Sequence, residues 1–370
     1  MKMLPISFTQ TKFINPINLL KAFLWFLLRG FQLRNNKKYK KIYLHEFSET
    51  KVSNLLIPED VKFTEKIEND TLILIRKFKF ITVLRYLFSL SRIRLIDKNF
   101  FLSSEASTRL RFQYYDFSNL VERDNYINLS IENFKTLKNL TSNKIIGILG
   151  TGPSYDIARD YYKENNLEIV ACNSSIYDDE LWNSECKIFC FADPVFHFGT
   201  SSEAYRFKDT VIKRFKENKF YIICPIAAFP ILSNDWKIDS SYIIGLQPST
   251  KNFNIGVNTD LSSPNTSNVL TEFMFPISAM ISKKIYLGGF DGRDLNEKNF
   301  WKYSETTIQT LDEHKENHPS FFNDRNINKY YKRHVSNLSR QINDLEKEGY
   351  QIYNVTNTNI GILNERMING

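Results

Sequence analysis

A chain of 370 residues, 42% hydrophobic and 14% aromatic, carries enough apolar side chain for one large core or two smaller ones. Charged residues make up 24% and are mixed in sign, which excludes the composition of a disordered chain. The formal net charge of +8 implies attraction to anions without choosing among nucleic acid, anionic lipid and sugar nucleotides.

Leu19–Leu28 is an apolar, aromatic run too short for a membrane span, which needs about 20 residues. It lacks the small-residue cleavage site of a signal peptide. Arg29, Arg34, Lys37, Lys38, Lys40 and Lys41 follow it. An apolar face beside basic residues predicts either a helix lying on an anionic membrane or one packed on the protein's own core. Strands are expected over Lys41–Phe47 and Asp70–Lys77. In Phe80–Arg94 the polar residues Thr82, Arg85, Ser89 and Arg92 recur at helical spacing among apolar ones, predicting a second basic amphipathic helix. Asn128–Asn143 is polar and turn-rich and reads as a boundary. Residues 1–140 are therefore expected to form a small α+β, membrane-associating region, and residues 144–370 the main domain.

From Lys144 onward strands alternate with helices. Strands are predicted at Lys144–Leu149, Leu167–Cys172, Lys187–Phe191, Phe220–Ile223, Tyr242–Gly245, Lys284–Leu287 and Gln351–Asn354. Helices are predicted at Tyr155–Asn165, Ser202–Asn218, Asn268–Ser282 and Tyr330–Glu348. This order argues for an α/β, Rossmann-like fold, a mostly parallel sheet with helices on both faces. Ligands of such sheets bind beyond the strand C-termini. Cys172, Cys186, Cys190 and Cys224 lack a repeated metal-type spacing and read as buried free thiols, which fits a reducing, cytoplasmic setting.

The turn Gly150-Thr-Gly-Pro-Ser154 joins the first of these strands to a helix, where glycines allow close backbone approach and a helix start favours an anion. Turns of this kind also serve structure alone. Pro153, the missing third glycine and Asn173 in place of an acidic ribose ligand all speak against dinucleotide binding, and no Walker A sequence is present. No Asp-x-Asp occurs; Asp291 and Asp294 have the wrong spacing, and His314 and His318, four apart, lack evident further metal ligands. No metal cofactor is expected. His197 lies between aromatics and reads as a core histidine or a nucleotide contact.

Taken in order, these motifs resemble those of the glycosyltransferase family 42 sialyltransferases and related enzymes that use CMP-activated sugars. The matching segments are Gly150–Ser154, Cys172-Asn173, Asp193-Pro194, Thr266-Ser267-Asn268, Ile285–Asp291, Asn323-Asp324 and Arg333-His334, spread over roughly residues 144–357. The resemblance implies that Gly150, Thr151, Gly152, Pro153, Ser154, Asn173, Asp193 and Asp291 contact the nucleotide and sugar. It implies that Thr266 and Ser267 offer backbone N–H groups to the phosphate or carboxylate. His334 would be the general base, a role suited to neutral imidazole. Thr151 and Asp193 stand where the family has asparagine. Arg293, beyond Asp291, and Tyr303 stand in for the family's phosphate-binding tyrosines, and His318 is a secondary candidate contact.

The implied function is metal-independent, inverting transfer of sialic acid or a keto-deoxy-octulosonate-like sugar from a CMP donor to a glycan or glycolipid. It would serve capsule or lipopolysaccharide synthesis, peripherally on the inner membrane face. A second copy of the chain is a further candidate partner; no base-reading motif for nucleic acid is present. Two other readings stand beside this one. A pyrophosphokinase-like phosphotransferase could share the Gly-x-Gly-Pro-Ser turn but would need magnesium-bound ATP. A non-catalytic membrane-surface module could retain the fold.

Overall fold

The computed structural model describes residues 41–45, 62–75, 81, 85–86, 89, 92–95, 120–183, 186–199, 201–249, 261–293 and 326–368. It divides into two compact units, Met1–Asp124 and Asn125–Gly370.

In the first unit, β1 (Lys41–His45), β2 (Lys62–Phe63), β3 (Thr71–Ile75) and β4 (Ile93–Leu95) form a parallel sheet in the order β2-β1-β3-β4. Ile73, Tyr86 and Ile93 pack together, and the Tyr86 hydroxyl meets His45 Nδ1 at 2.8 Å. The helix expected over Phe80–Arg94 is thus cut short by β4. Its partner strand β3 supplies ladder hydrogen bonds that outweigh the helical period of the run. Within that run Ile81 is 77% exposed while Tyr86 is buried. Arg92 donates to the Glu68 carbonyl and to Ser89 Oγ, so this expected membrane-facing cation is bonded within the protein. Leu19–Leu28 and the basic residues from Arg29 to Lys40 lie outside the described residues.

The second unit is built on eight parallel strands in the order β10-β9-β8-β7-β6-β5-β11-β12. They are β5 (Ile146–Leu149), β6 (Glu168–Cys172), β7 (Ile188–Cys190), β8 (Tyr221–Pro225), β9 (Ile243–Ser249), β10 (Ser262–Pro264), β11 (Lys284–Gly288) and β12 (Gln351–Asn354). Parallel strands covered on both faces must be apolar at nearly every position, and β5, β6 and β7 are buried almost throughout. One face carries Ile146, Ile148, Val170 and Ile188, in a cluster with Leu270, Phe273, Leu338 and Ile342 from the covering helices. On the other face Phe189 packs edge-on to Trp182 and Phe220. There Gly147 leaves room for the Tyr162 ring, which a Cβ would approach to 2.8 Å.

The chain winds outward from β5 to β10, then returns to lay β11 and β12 on the other side of β5. The order therefore reverses between β5 and β11. In open parallel sheets that reversal leaves a crevice at the strand C-termini, because the connections on either side diverge.

The stretch expected to be a polar boundary, Asn128–Asn143, is instead mostly helix: α1 spans Leu120–Leu140. Its inward face contains Ser130 and Asn133 beside Leu137, which hides the apolar period. β10 pairs with β9 only from Gln247 onward, and among the described residues no strand lies along the outer edge of residues 243–245. Ser130 Oγ accepts the Gly245 N–H at 2.9 Å, and the Asn133 amide donates to the carbonyls of Ile243 (2.8 Å) and Ser240 (2.7 Å). Polar residues face inward because a buried sheet edge needs hydrogen-bond partners.

The remaining elements that position the site are α2 (Tyr155–Glu164), α3 (Asp179–Asn183), α4 (Pro194–Phe198), α5 (Ser202–Glu217), α6 (Phe275–Ile281), α7 (Ile327–Lys347) and α8 (Gly361–Asn364). The helix predicted over Asn268–Ser282 forms, but Leu270–Met274 opens into a wide i→i+5 turn before α6. Pro276 has no N–H to give the Glu272 carbonyl, and Ser263 Oγ donates to that carbonyl instead.

Candidate functional site

The turn after β5 and the turn after β11 meet at the reversal point. Gly150 N–H donates to Gly288 O at 2.8 Å and Gly152 N–H to Gly289 O at 2.9 Å. Two backbones this close exclude side chains: a Cβ on Gly150 would lie 2.4 Å from Gly289 O, and one on Gly152 would lie 2.2 Å from Asp291 Oδ2. Gly289 itself has φ +76°, in the left-handed region that favours glycine. The glycines of Gly150–Ser154 thus have a reason to be there within the chain's own packing.

Asp291 Oδ2 accepts the N–H of Ser154, the residue that opens α2, at 3.2 Å. A carboxylate of the protein thereby occupies a helix start at which an external anion was expected. Ser154 Oγ, next to it, is buried and has no hydrogen-bond partner among the described residues. Thr151 is half-buried and Pro153 exposed at the lip of the turn. Beyond Asp291, the Arg293 N–H donates to the Tyr331 hydroxyl at 3.2 Å and its guanidinium to Asn328 Oδ1 at 3.0 Å. The Arg293 side chain is therefore buried against the first turns of α7. The loop after β12 closes the same end, with Thr356 Oγ1 accepting from Gly289 N–H and Thr358 Oγ1 donating to Phe290 O.

Thr266 and Ser267 were expected to offer free N–H groups to an anion. Both donate to Glu272 Oε2, at 3.0 and 2.8 Å. An acidic residue four positions into a helix capped by Asn268 reaches back to the amides ahead of the cap, a reciprocal capping arrangement. Burial pushes the Glu272 carboxyl up to about 7 against the pull of those two amides. Tyr330 donates its hydroxyl to Ser267 O at 2.7 Å, so neighbouring tyrosines of α7 tie down both this segment and the Arg293 loop.

His334 sits one turn beyond Tyr330 on the buried face of α7. It is not the solvated helix-start residue that its basic neighbours suggest. Burial lowers it to about 4, keeping the ring neutral at physiological pH. Its Nδ1 has no partner among the described residues, so nothing there fixes the tautomer.

Asn173 follows β6, next to β5, with φ +49°, a conformation asparagine tolerates better than most residues. Asp193, after β7 and two strands from β5, accepts from Val195 N–H and Phe196 N–H as the cap of α4, which gives its carboxylate a structural task. His197 is buried among Phe191 and Phe207, with ring centroids 5.3 and 4.4 Å away, in agreement with the core reading. All four cysteines are buried and free. Tyr303, His314 and His318 lie outside the described residues.

The fold thus gathers Gly150–Ser154, Asp291, Arg293, Thr266, Ser267 and His334 around the first turns of α7, with Asn173 just beyond the end of β6, the strand beside β5. Glu272, Asn328, Tyr330 and Tyr331 join them without having been singled out in the sequence. For Glu272 the spacing from Asn268 was the available signal; for the tyrosines there was none. Among the described residues no group of three or more His, Cys, Asp and Glu side chains is placed to hold a metal ion, and no helix is long and apolar enough to cross a membrane. Comparisons of the chain with protein-family profiles, curated proteins and solved structures find no match.

Proposed function

We propose that the chain is a glycosyltransferase that moves an acidic sugar from a CMP-activated donor to a glycan or glycolipid, without a metal ion, at an anionic membrane surface. The observation that carries this reading is the meeting of the Gly150–Ser154 turn with the Gly289–Arg293 turn where the strand order reverses. A nucleotide would lie across that crevice, with Thr151, Pro153 and Asn173 on one wall. Arg293 would approach the departing phosphate, where a bidentate cation is most useful. The order of motifs from Gly150 to His334 resembles that of the CMP-sugar transferases, and a mostly parallel sheet with helices would suit a Rossmann-like arrangement.

Binding of CMP, UDP, GDP and ATP, each with and without magnesium, tests the proposal. CMP binding that needs no magnesium is the expected result. Binding of ATP alone, dependent on magnesium, would favour the phosphotransferase reading. Binding of none of the four would favour a surface module.

A further inference from the structure

The geometry points to Glu272, and not His334, as the group that takes the proton from the attacking hydroxyl; this rests on the transferase reading above. The two oxygens of Glu272 are held unequally. Oε2 accepts both the Thr266 and Ser267 N–H groups, whereas Oε1 makes no hydrogen bond among the described residues. A carboxylate anchored through one oxygen presents the other in a fixed direction.

The backbone around it is clamped as well. Thr271 O accepts from the Gln341 amide at 2.7 Å, Glu272 O accepts from Ser263 Oγ, and Glu272 N–H donates to Asn268 O at 2.9 Å. Thr266 Oγ1 and Thr271 Oγ1 are 2.8 Å apart, which ties the loop to the helix that carries Glu272. Such restraint is what a proton acceptor needs, since a misplaced base loses most of its effect.

His334 is less suited to the role. Among the described residues its buried Nδ1 has no orienting partner, whereas catalytic imidazoles are held by one. At about 4 it is a weak base, and a carboxyl at about 7 is better matched to neutral pH.

The other titratable groups on the packed elements have other tasks. The Tyr330 hydroxyl is bonded to Ser267 O and that of Tyr331 to Arg293 N–H. Beneath lie the Cys172 and Cys190 thiols, both pushed up by burial, Cys172 to about 12. Lys329, Lys332 and Arg333 are on the exposed side of α7.

In the step itself the acceptor oxygen bonds to the anomeric carbon and the carbon–oxygen bond to phosphate breaks. CMP leaves with that electron pair, and the hydroxyl proton passes to Glu272 and then to water. With water as acceptor the same transfer is needed, so CMP release from CMP-sialic acid and from CMP-keto-deoxy-octulosonate is a usable readout.

The experiment measures kcat/KM for that release against pH, together with CMP binding, for the wild type, Glu272→Gln, Glu272→Asp and His334→Gln. The wild type should lose activity on the acid side with a midpoint near the carboxyl's value of about 7. Glu272→Gln should abolish that limb and lower kcat by ~10² to 10⁴ while still binding CMP, which shows that the variant is folded. Glu272→Asp should keep the limb at reduced rate, and His334→Gln should keep it too. A Glu272→Gln enzyme with wild-type kcat, or loss of the limb in His334→Gln alone, would overturn the assignment and leave the transferase reading standing. A wild type that neither binds CMP nor releases it from either donor would overturn both.

Discussion

Two titratable groups on a pair of packed helices, Glu272 and His334, respond to pH in opposite senses. Glu272 has its folded value raised from 4.5 to about 7, so between those values the folded protein holds a proton that the unfolded chain has lost. Its contribution to stability is complete below 4.5 and disappears as pH rises through 7. His334 is lowered from 6.5 to about 4, so its contribution is complete above 6.5 and disappears as pH falls through 4. In the shared window the two slopes oppose each other, each limited to about 1.4 kcal/mol per pH unit. Urea midpoints measured from pH 4.5 to 7 should separate them. Stability should rise with pH in Glu272→Gln, where only the histidine's contribution remains, and fall with pH in His334→Gln. Equal slopes in both variants would mean that neither group is buried as described.

At the scale of one element, α1 shows how a helix can be committed to a sheet without an apolar stripe. Its amphipathic signal is weak because Ser130 and Asn133 occupy inward positions, and both are there to satisfy β9. Asn133→Ala leaves the carbonyls of Ser240 and Ile243 without that donor and should cost about 1–3 kcal/mol, read from urea unfolding. Ser130→Ala should speed hydrogen exchange at the Gly245 amide specifically. Were that amide unchanged while distant ones sped up, the effect would be general loosening and not loss of an edge partner. A chain trimmed to begin at Lys144, as the sequence boundary suggests, would expose this edge and should aggregate more readily than one beginning at Leu120.

Across the whole molecule the excess of Lys and Arg over Asp and Glu, 49 against 41, sets the sign of any surface association. The proposed membrane contact rests on Leu19–Leu28 with its following cations and on the exposed parts of Phe80–Arg94, such as Ile81 and Arg85. Each basic residue close to an anionic surface adds about 1 kcal/mol, which salt weakens. Co-sedimentation with phosphatidylserine-containing liposomes should therefore fall as salt is raised and be absent with neutral lipid. Equal recovery in the supernatant with both lipids would remove the membrane from the proposed function.

The sequence by itself determined the main architecture. Short apolar runs from Ile146 to Gln351, alternating with amphipathic helices, can bury both faces only as a covered parallel sheet, and such a sheet places the Gly150–Ser154 turn at a strand end. Tertiary structure decided what that turn and its neighbours are bonded to. Asp291 reaches the Ser154 amide across 137 residues, and Asn133 reaches the Ile243 carbonyl across 110. Hydrogen bonds of that range leave no local period, so α1 looked like a boundary and the helix start looked open. Glu272 lies only six residues from Thr266, and its capping of that amide was legible in principle. Its value as an acid or base was not, because that depends on how deeply the folded protein buries it.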